Sequence, residues 1–315
     1  MEKIRLGIST CLLGENVRYD GGHKLDRYLR DTLGAYVDFV PVCPEVEAGF
    51  GIPREAFRLV GDASAPRLVT IKTKIDHTER METWARKRVK ELEKEDLCGF
   101  VFKSDSPSSG MERVKVYDAN GVPRKAASGI FARIFMEGFP LLPVEEEGRL
   151  HDPLLRENFI ERIFTCLRWK RALASGRKIS SLVDFHTRNK LLILCHSPKH
   201  YQEAGRLVAN AKKAPFGDIE SRYTKLLMDA MSIKATPARH VNVLQHITGY
   251  FKKQLTPDEK RELAEVIQSY RAGLVPLIVP ITLLNHYIRK FGEPYLASQT
   301  YLNPHPIELK LRNHA

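Results

Sequence analysis

The chain has 315 residues, 43% hydrophobic and 28% charged, a globular composition long enough for two domains of ordinary size. Its longest apolar run, Gly273 to Leu284, is broken by two prolines and falls short of the roughly 18 residues a membrane span needs, which excludes a membrane protein. The net charge of +12 is unevenly placed: Met1 to Thr165 holds 26 Lys+Arg against 27 Asp+Glu, a net of −1, and Cys166 to Ala315 holds 24 against 11, a net of +13.

In chain order, Ile4 to Ser9, Val37 to Val42, Gly99 to Lys103 and Leu141 to Val144 read as strands, and Lys24 to Leu33, Glu79 to Leu92 and Ala126 to Glu137 as helices between them. The alternation predicts an α/β domain with a mainly parallel, Rossmann-like sheet, whose ligand site lies beyond the carboxyl ends of the strands. A charged helix over Asp152 to Arg171 follows. The first domain is drawn at 1–165, the helix end and a Ser-, Gly- and Lys-bearing linker at 166–181. From 182 to 315 the pattern is all-α: Leu182 to Leu194, Lys199 to Ala209, Ile219 to Met231, Ala238 to Lys253, Pro257 to Tyr270 and Val279 to Lys290 suit helical spacing, with Gly or Pro at the joints. The tail from Tyr301, with Asn303-Pro-His-Pro306, is expected to pack extended along the surface.

Three loops leave the carboxyl ends of the predicted strands: Ser9 to Gly14, Pro41-Val-Cys-Pro-Glu45 and Lys103 to Gly110. They bring Cys11 and Cys43 to one rim, either as reactive or ligating thiols or as two buried small hydrophobes. Glu45, two residues past Cys43 across a proline, suits a general base or, more plainly, a charge at a helix start. The third loop is rich in hydroxyls and closes on Gly110, so its amides suit an anion or substrate cradle or an ordinary turn. The opening residues Met1 to Arg5 show no secretory leader, and five cysteines without a disulfide framework fit a reducing, cytoplasmic setting. On the basic half, Arg239, Asn242, His246, Gly249 and Lys253 form a polar stripe opposite Val241, Leu244, Ile247 and Phe251. Arg188, Lys190, Lys199, Tyr201 and Arg206 extend it, mixing phosphate-binding cations with an aromatic that can stack on a base. A solvated helix face is the plain alternative for each, and for His196 and His240 a structural role is favoured over a metal role.

At these loops the chain resembles the thiouracil desulfidase family, through Ser9 to Gly14, Val17-Arg-Tyr-Asp-Gly-Gly22, Cys43-Pro-Glu45 and Ser106 to Gly110. Arg156-Glu-Asn-Phe-Ile-Glu-Arg162 resembles the close of that domain in fused forms. Asp184 to Lys190, His196 to Tyr201 and Arg239 to His246 are similar to a helical partner domain catalogued as unknown in function. The resemblance covers nearly the whole chain, and the two-domain fusion is linked to removing sulfur from 4-thiouridine in tRNA.

The resemblance implies a 4Fe-4S cluster on three cysteines, with one iron open to the sulfur of a thiolated uracil. Cys11 and Cys43 match two ligand positions, Glu45 the catalytic carboxylate and Ser106 the active-site serine; the third ligand position is Ser109. Cys98 is the nearest alternative thiol, but it begins the third strand, five residues at about 3.3 Å each, or roughly 17 Å, from the strand's far end. Cys166 and Cys195 read as core. Two other readings stay open: an RNA-binding module whose first domain lacks a functional cluster, which Ser109 favours, and a thiol enzyme using Cys11 with a lowered pKa.

Overall fold

The computed structural model describes residues 3–314. In chain order its first part forms β1 (Ile4–Ser9), β2 (Val37–Val42), α1 (Pro44–Glu47), β3 (Phe57–Val60), β4 (Arg67–Thr70), α2 (Thr78–Leu92), β5 (Gly99–Phe102), β6 (Val114–Tyr117), β7 (Pro123–Ala127), α3 (Ile130–Gly138) and β8 (Val144–Glu146). Three of the apolar runs read as strands, with a fourth strand that begins at Val144, where the run from Leu141 was expected to end, make one sheet of order β2-β1-β5-β8, parallel throughout. All four residues of β5 are buried, as expected of a strand covered on both faces. Phe100 and Phe102 pack on Phe131 and Phe135 of α3, with ring centroids 4.7 Å apart for Phe100 and Phe135. Because β1 lies between β2 and β5, the chain reverses its direction of strand addition at β1, and the crevice there opens at the carboxyl edge.

A second, mixed sheet of order β4-β3-β6-β7 was not legible as strands. Its strands are four or five residues long, and the first four residues of β7 are exposed, so the pattern is too short or too polar to mark them. The helix expected from Ala126 accordingly begins at Ile130, after β7 and the break at Ser128-Gly129. Lys24 to Leu33 forms no α-helix; a single π-turn at Tyr28–Thr32 and a 3-10 turn at Leu33–Ala35 replace it.

The chain divides into two compact units at Asp152/Pro153. The second is all helical: α4 (Pro153–Ala174), α5 (Ile179–His196), α6 (Pro198–Ala209), α7 (Phe216–Ser232), α8 (Pro237–Tyr250), α9 (Pro257–Arg271), α10 (Ile278–Phe291) and α11 (Pro294–Ala297). All six helices expected after residue 181 are present. Helix α4, read from the sequence as closing the first domain, belongs to this unit: Asn158 Nδ2 donates to Met231 O at 3.0 Å and Trp169 Nε1 to Thr224 Oγ1 at 2.8 Å. The tail is not an extended surface strap. It makes 3-10 turns at Thr300–Leu302 and Ile307–Leu309 and buries Tyr301, Leu302, Leu309 and Leu311 in the core. No described helix is long and apolar enough to cross a membrane.

Within the helical unit a charged network is fully enclosed. The Arg312 guanidinium donates to Glu161 Oε1 at 2.7 Å, Glu157 Oε1 at 3.3 Å and Tyr301 O at 2.6 Å. His196 faces Glu161 Oε2 at 3.0 Å through Nε2 and Ile233 O at 2.7 Å through Nδ1. Both partners are acceptors, so both ring nitrogens donate and the ring is an imidazolium. Thus Glu157 and Glu161, within the segment that resembles a domain ending, serve the core of the helical unit.

Candidate active site

The carboxyl ends of β1, β2 and β5 deliver the three loops to a single cavity of about 520 Å³, lined by Cys11, Cys43, Glu45, Ser106, Ser108 and Ser109 among others. Cys11 sits in a 3-10 turn, Thr10–Leu13, that follows β1 directly and ends on Gly14 with φ 96°. Cys43 is the residue before α1, where Pro44 occupies the first helical position with its φ already suited to the turn. Its amide donates to Glu47 Oε1 at 2.8 Å, closing the first turn, and its thiol donates to Val17 O at 3.8 Å.

The third loop is held from three sides. Lys103 N donates to Ser9 Oγ at 2.9 Å, tying the end of β5 to the end of β1. Glu147, just past β8, accepts from Ser104 N at 2.7 Å and pairs with Lys103 Nζ at 2.5 Å. The first amides of α3, which lack intrahelical partners, donate back into the loop: Ile130 N to Pro107 O at 3.1 Å and Phe131 N to Ser108 O at 2.9 Å. Gly129 permits this approach, since a Cβ there would stand 2.5 Å from the backbone carbon of Ser108.

A hydrogen-bonded chain crosses the cavity wall. Ser108 Oγ donates to Glu45 Oε1 at 2.8 Å and meets Ser106 Oγ at 3.0 Å. The other carboxylate oxygen, Oε2, pairs with Arg54, whose Nε lies 3.0 Å away and whose Nη1 and Nη2 also donate to Val17 O at 3.1 Å. Arg54 and Ser108 are the site residues that sequence reading missed. Arg54 lies in an irregular loop with no strand register to place it. Ser108 stood inside the serine cradle, but only the fold brings its hydroxyl onto Glu45.

The donor set suits an iron–sulfur centre. Two thiols and Ser109 line one cavity, and the Ser109 hydroxyl, on a residue only 3% exposed, makes no hydrogen bond among the described residues. Burial pushes the Cys11 thiol up to about 11, against the attraction of Lys103 and with the help of neighbouring Cys43, and burial also raises Cys43. Both are therefore neutral thiols near pH 7 until a metal displaces their protons. This corrects the thiol-enzyme reading, because desolvation outweighs any lowering from the turn after β1. Cys98, Cys166 and Cys195 are buried and line none of this cavity.

Residues 6–147 match the family described as 2-thiouracil desulfurase, and residues 190–306 match a family described as a protein of unknown function, DUF1722. The uncharacterized protein YbgA of Escherichia coli K12 is 33% identical over 153 residues, 48% of this chain and 90% of that protein. The chain carries a 2-thiouracil desulfurase domain followed by a DUF1722 domain. The uncharacterized protein YbbK of Bacillus subtilis 168 is 28% identical over 109 residues, 33% of this chain and 71% of that protein. A solved structure titled 4Fe-4S-dependent thiouracil desulfidase TudS is 29% identical, covering 48% of this chain and 95% of its own with a TM-score of 0.38.

The residues of the basic stripe separate in the helical unit. Asn242, His246 and Lys253 are exposed, and the faces opposite them, Val241, Leu244, Ile247 and Phe251, are buried. Arg239 is half-buried, and its Nη1 donates to His196 O at 2.6 Å. Arg188 pairs with Asp184 one helical turn away, Lys199 is exposed, and Lys190 and Tyr201 are half-buried. Arg206 lines a different cleft, between α6 and α7, with Lys213, Arg222 and Lys225. His196 and His240 are buried with hydrogen-bond partners, the latter 3.0 Å from Tyr301 Oη.

Proposed function

We propose that this chain is a non-redox desulfidase that exchanges the sulfur of a thiolated uracil, 4-thiouridine in tRNA, for the oxygen of water and releases sulfide. The observation that carries this reading is the meeting of two thiols and an unpartnered serine hydroxyl at one cavity with Glu45 on its wall. Cys11, Cys43 and Ser109 would hold a 4Fe-4S cluster, with Ser109 as an oxygen ligand where thiolate is usual. When bound, the cluster supplies a Lewis-acidic iron with an open position for the thiocarbonyl sulfur.

The protein's own part is proton handling and placement. Arg54 occupies Oε2 of Glu45, which leaves Oε1, the oxygen shared with Ser108, to take a proton from the attacking water. Ser108 links Glu45 to Ser106, so a proton can pass along the two hydroxyls towards the departing sulfur. One water is consumed and one sulfide released, with no change in electron count. The positive field of the helical unit supplies the attraction for a tRNA backbone, and five free cysteines suit a cytoplasmic setting.

Anaerobic reconstitution with iron and sulfide should give cluster absorption, and the loaded protein should release sulfide from 4-thiouridine-containing tRNA. Glu45→Ala should end release while leaving the absorption intact. A folded protein that takes up no iron and releases no sulfide would instead support the second reading, an RNA-binding module, which the serine at position 109 favours.

A further inference from the structure

Three helices of the second unit place an aromatic and cationic cluster at its surface. Tyr250, the last residue of α8, stacks on Tyr295 of α11 with ring centroids 5.4 Å apart and planes 22° from parallel. Lys190 of α5 sets its Nζ 4.8 Å from the Tyr295 centroid, and His246, one turn before Tyr250, meets its ring edge-on at 5.9 Å. The pair is anchored. Gln299, two residues past α11 and 2% exposed, donates from Nε2 to Thr187 O of α5 at 2.9 Å, which fixes α11 against α5.

Tyr250 is nevertheless 41% exposed. An aromatic ring whose stacked partner and neighbours are fixed, yet which keeps that much area in water, is a preformed flat surface. Lys190 forms no ion pair with a carboxylate among the described residues, so its charge is available to an anion beside the rings. Glu293 lies within electrostatic reach of Tyr250. A flat π-face beside an uncompensated ammonium fits a nucleobase with its phosphate. The unit's excess of 13 positive charges from Cys166 onward selects a polyanion over a neutral ligand.

We infer that Tyr250 and Tyr295 form a stacking platform for an unpaired nucleotide of an RNA, with Lys190 and His246 contacting its phosphates. The inference rests on the tRNA reading above and adds a site to it. Tyr250 offers its exposed ring to any base, with Tyr295 backing it, so the platform is indifferent to sequence but requires a base free of its duplex.

The test is fluorescence anisotropy with a labelled single-stranded oligouridylate, measured across a salt series for the full chain and two double variants. Tyr250→Ala with Tyr295→Ala should weaken binding roughly tenfold or more at every salt concentration. The salt slope should not change, because the phosphate contacts remain. Tyr250→Phe with Tyr295→Phe should bind as the parent does, which separates ring stacking from hydroxyl bonding and from loss of fold. Equal binding by the alanine variant would overturn the platform while leaving the RNA reading standing. Salt-dependent RNA binding absent from the parent chain would remove both. Polyglutamate weakened as strongly as the oligouridylate would also overturn the platform, in favour of an acidic peptide site.

Discussion

At the scale of single residues, the site turns on how Glu45 is held. One carboxylate oxygen is taken by a nearly buried guanidinium and the other by a buried hydroxyl, so the side chain has little freedom to leave the cavity. Ser108 is the cheaper of the two partners to remove, since its loss strands no charge. Ser108→Ala should lower sulfide release by roughly a hundredfold, within the range for a positioned proton-transfer group, and leave iron content as it was. Both are read from the same reconstituted sample. Cys11, Cys43 and Glu45 were legible because each sits one to three residues past an apolar run that could only be a strand. Ser108 and Arg54 were not, because their roles depend on a contact between loops 63 and nine residues apart in sequence.

At the scale of elements, the serine loop and helix α3 are one device. The helix needs acceptors for its first amides, the loop carbonyls provide them, and Gly129 lets the two backbones touch. Gly129→Ala would drive a Cβ into the backbone of Ser108, so it should cost roughly 1–3 kcal/mol of stability. It should also loosen the bond from Ser108 to Glu45. A thermal melt reads the first effect and sulfide release the second; an alanine variant as stable and active as the parent would count against the coupling. The parallel sheet and the six later helices could be read from apolar period alone, whereas β3, β4, β6 and β7 could not. Short strands with charged, water-facing residues carry too little pattern, and the sheet they form is known only when β3 and β6 meet across more than fifty residues.

At the scale of the molecule, the helical unit hangs on charges that no helical wheel reveals. Burial opposes the charge on His196, yet its neighbours Cys195 and Glu161 raise its pKa well above the usual histidine value. Burial and the nearby Glu161 charge push Glu157 up as well, and Arg312 works against the rise. Glu161 goes the other way: burial would raise it, but Arg312 and His196 hold it below the carboxylate range. The raised groups bind their protons more tightly in the folded state, so their contribution is complete below their ordinary values and is lost as pH climbs through the raised ones. The Glu161 contribution holds above its ordinary value and is lost only in acid. Melts followed by circular dichroism should therefore show the helical transition falling in temperature as pH climbs above the ordinary carboxylate and histidine values, and a flat response there would mean that neither raised group keeps its proton in the fold.

The placing of Arg312 has a consequence for how the polypeptide emerges from the ribosome. Glu157 and Glu161 are translated some 150 residues before the guanidinium that neutralises them. Until then the His196 ring, 35 residues past Glu161, offsets one of the two acids, and an unpaired ion in the interior is strongly unfavourable. The earlier helices can form their turns as they leave the tunnel, but the packing that encloses Glu157 must wait until Arg312 has been made.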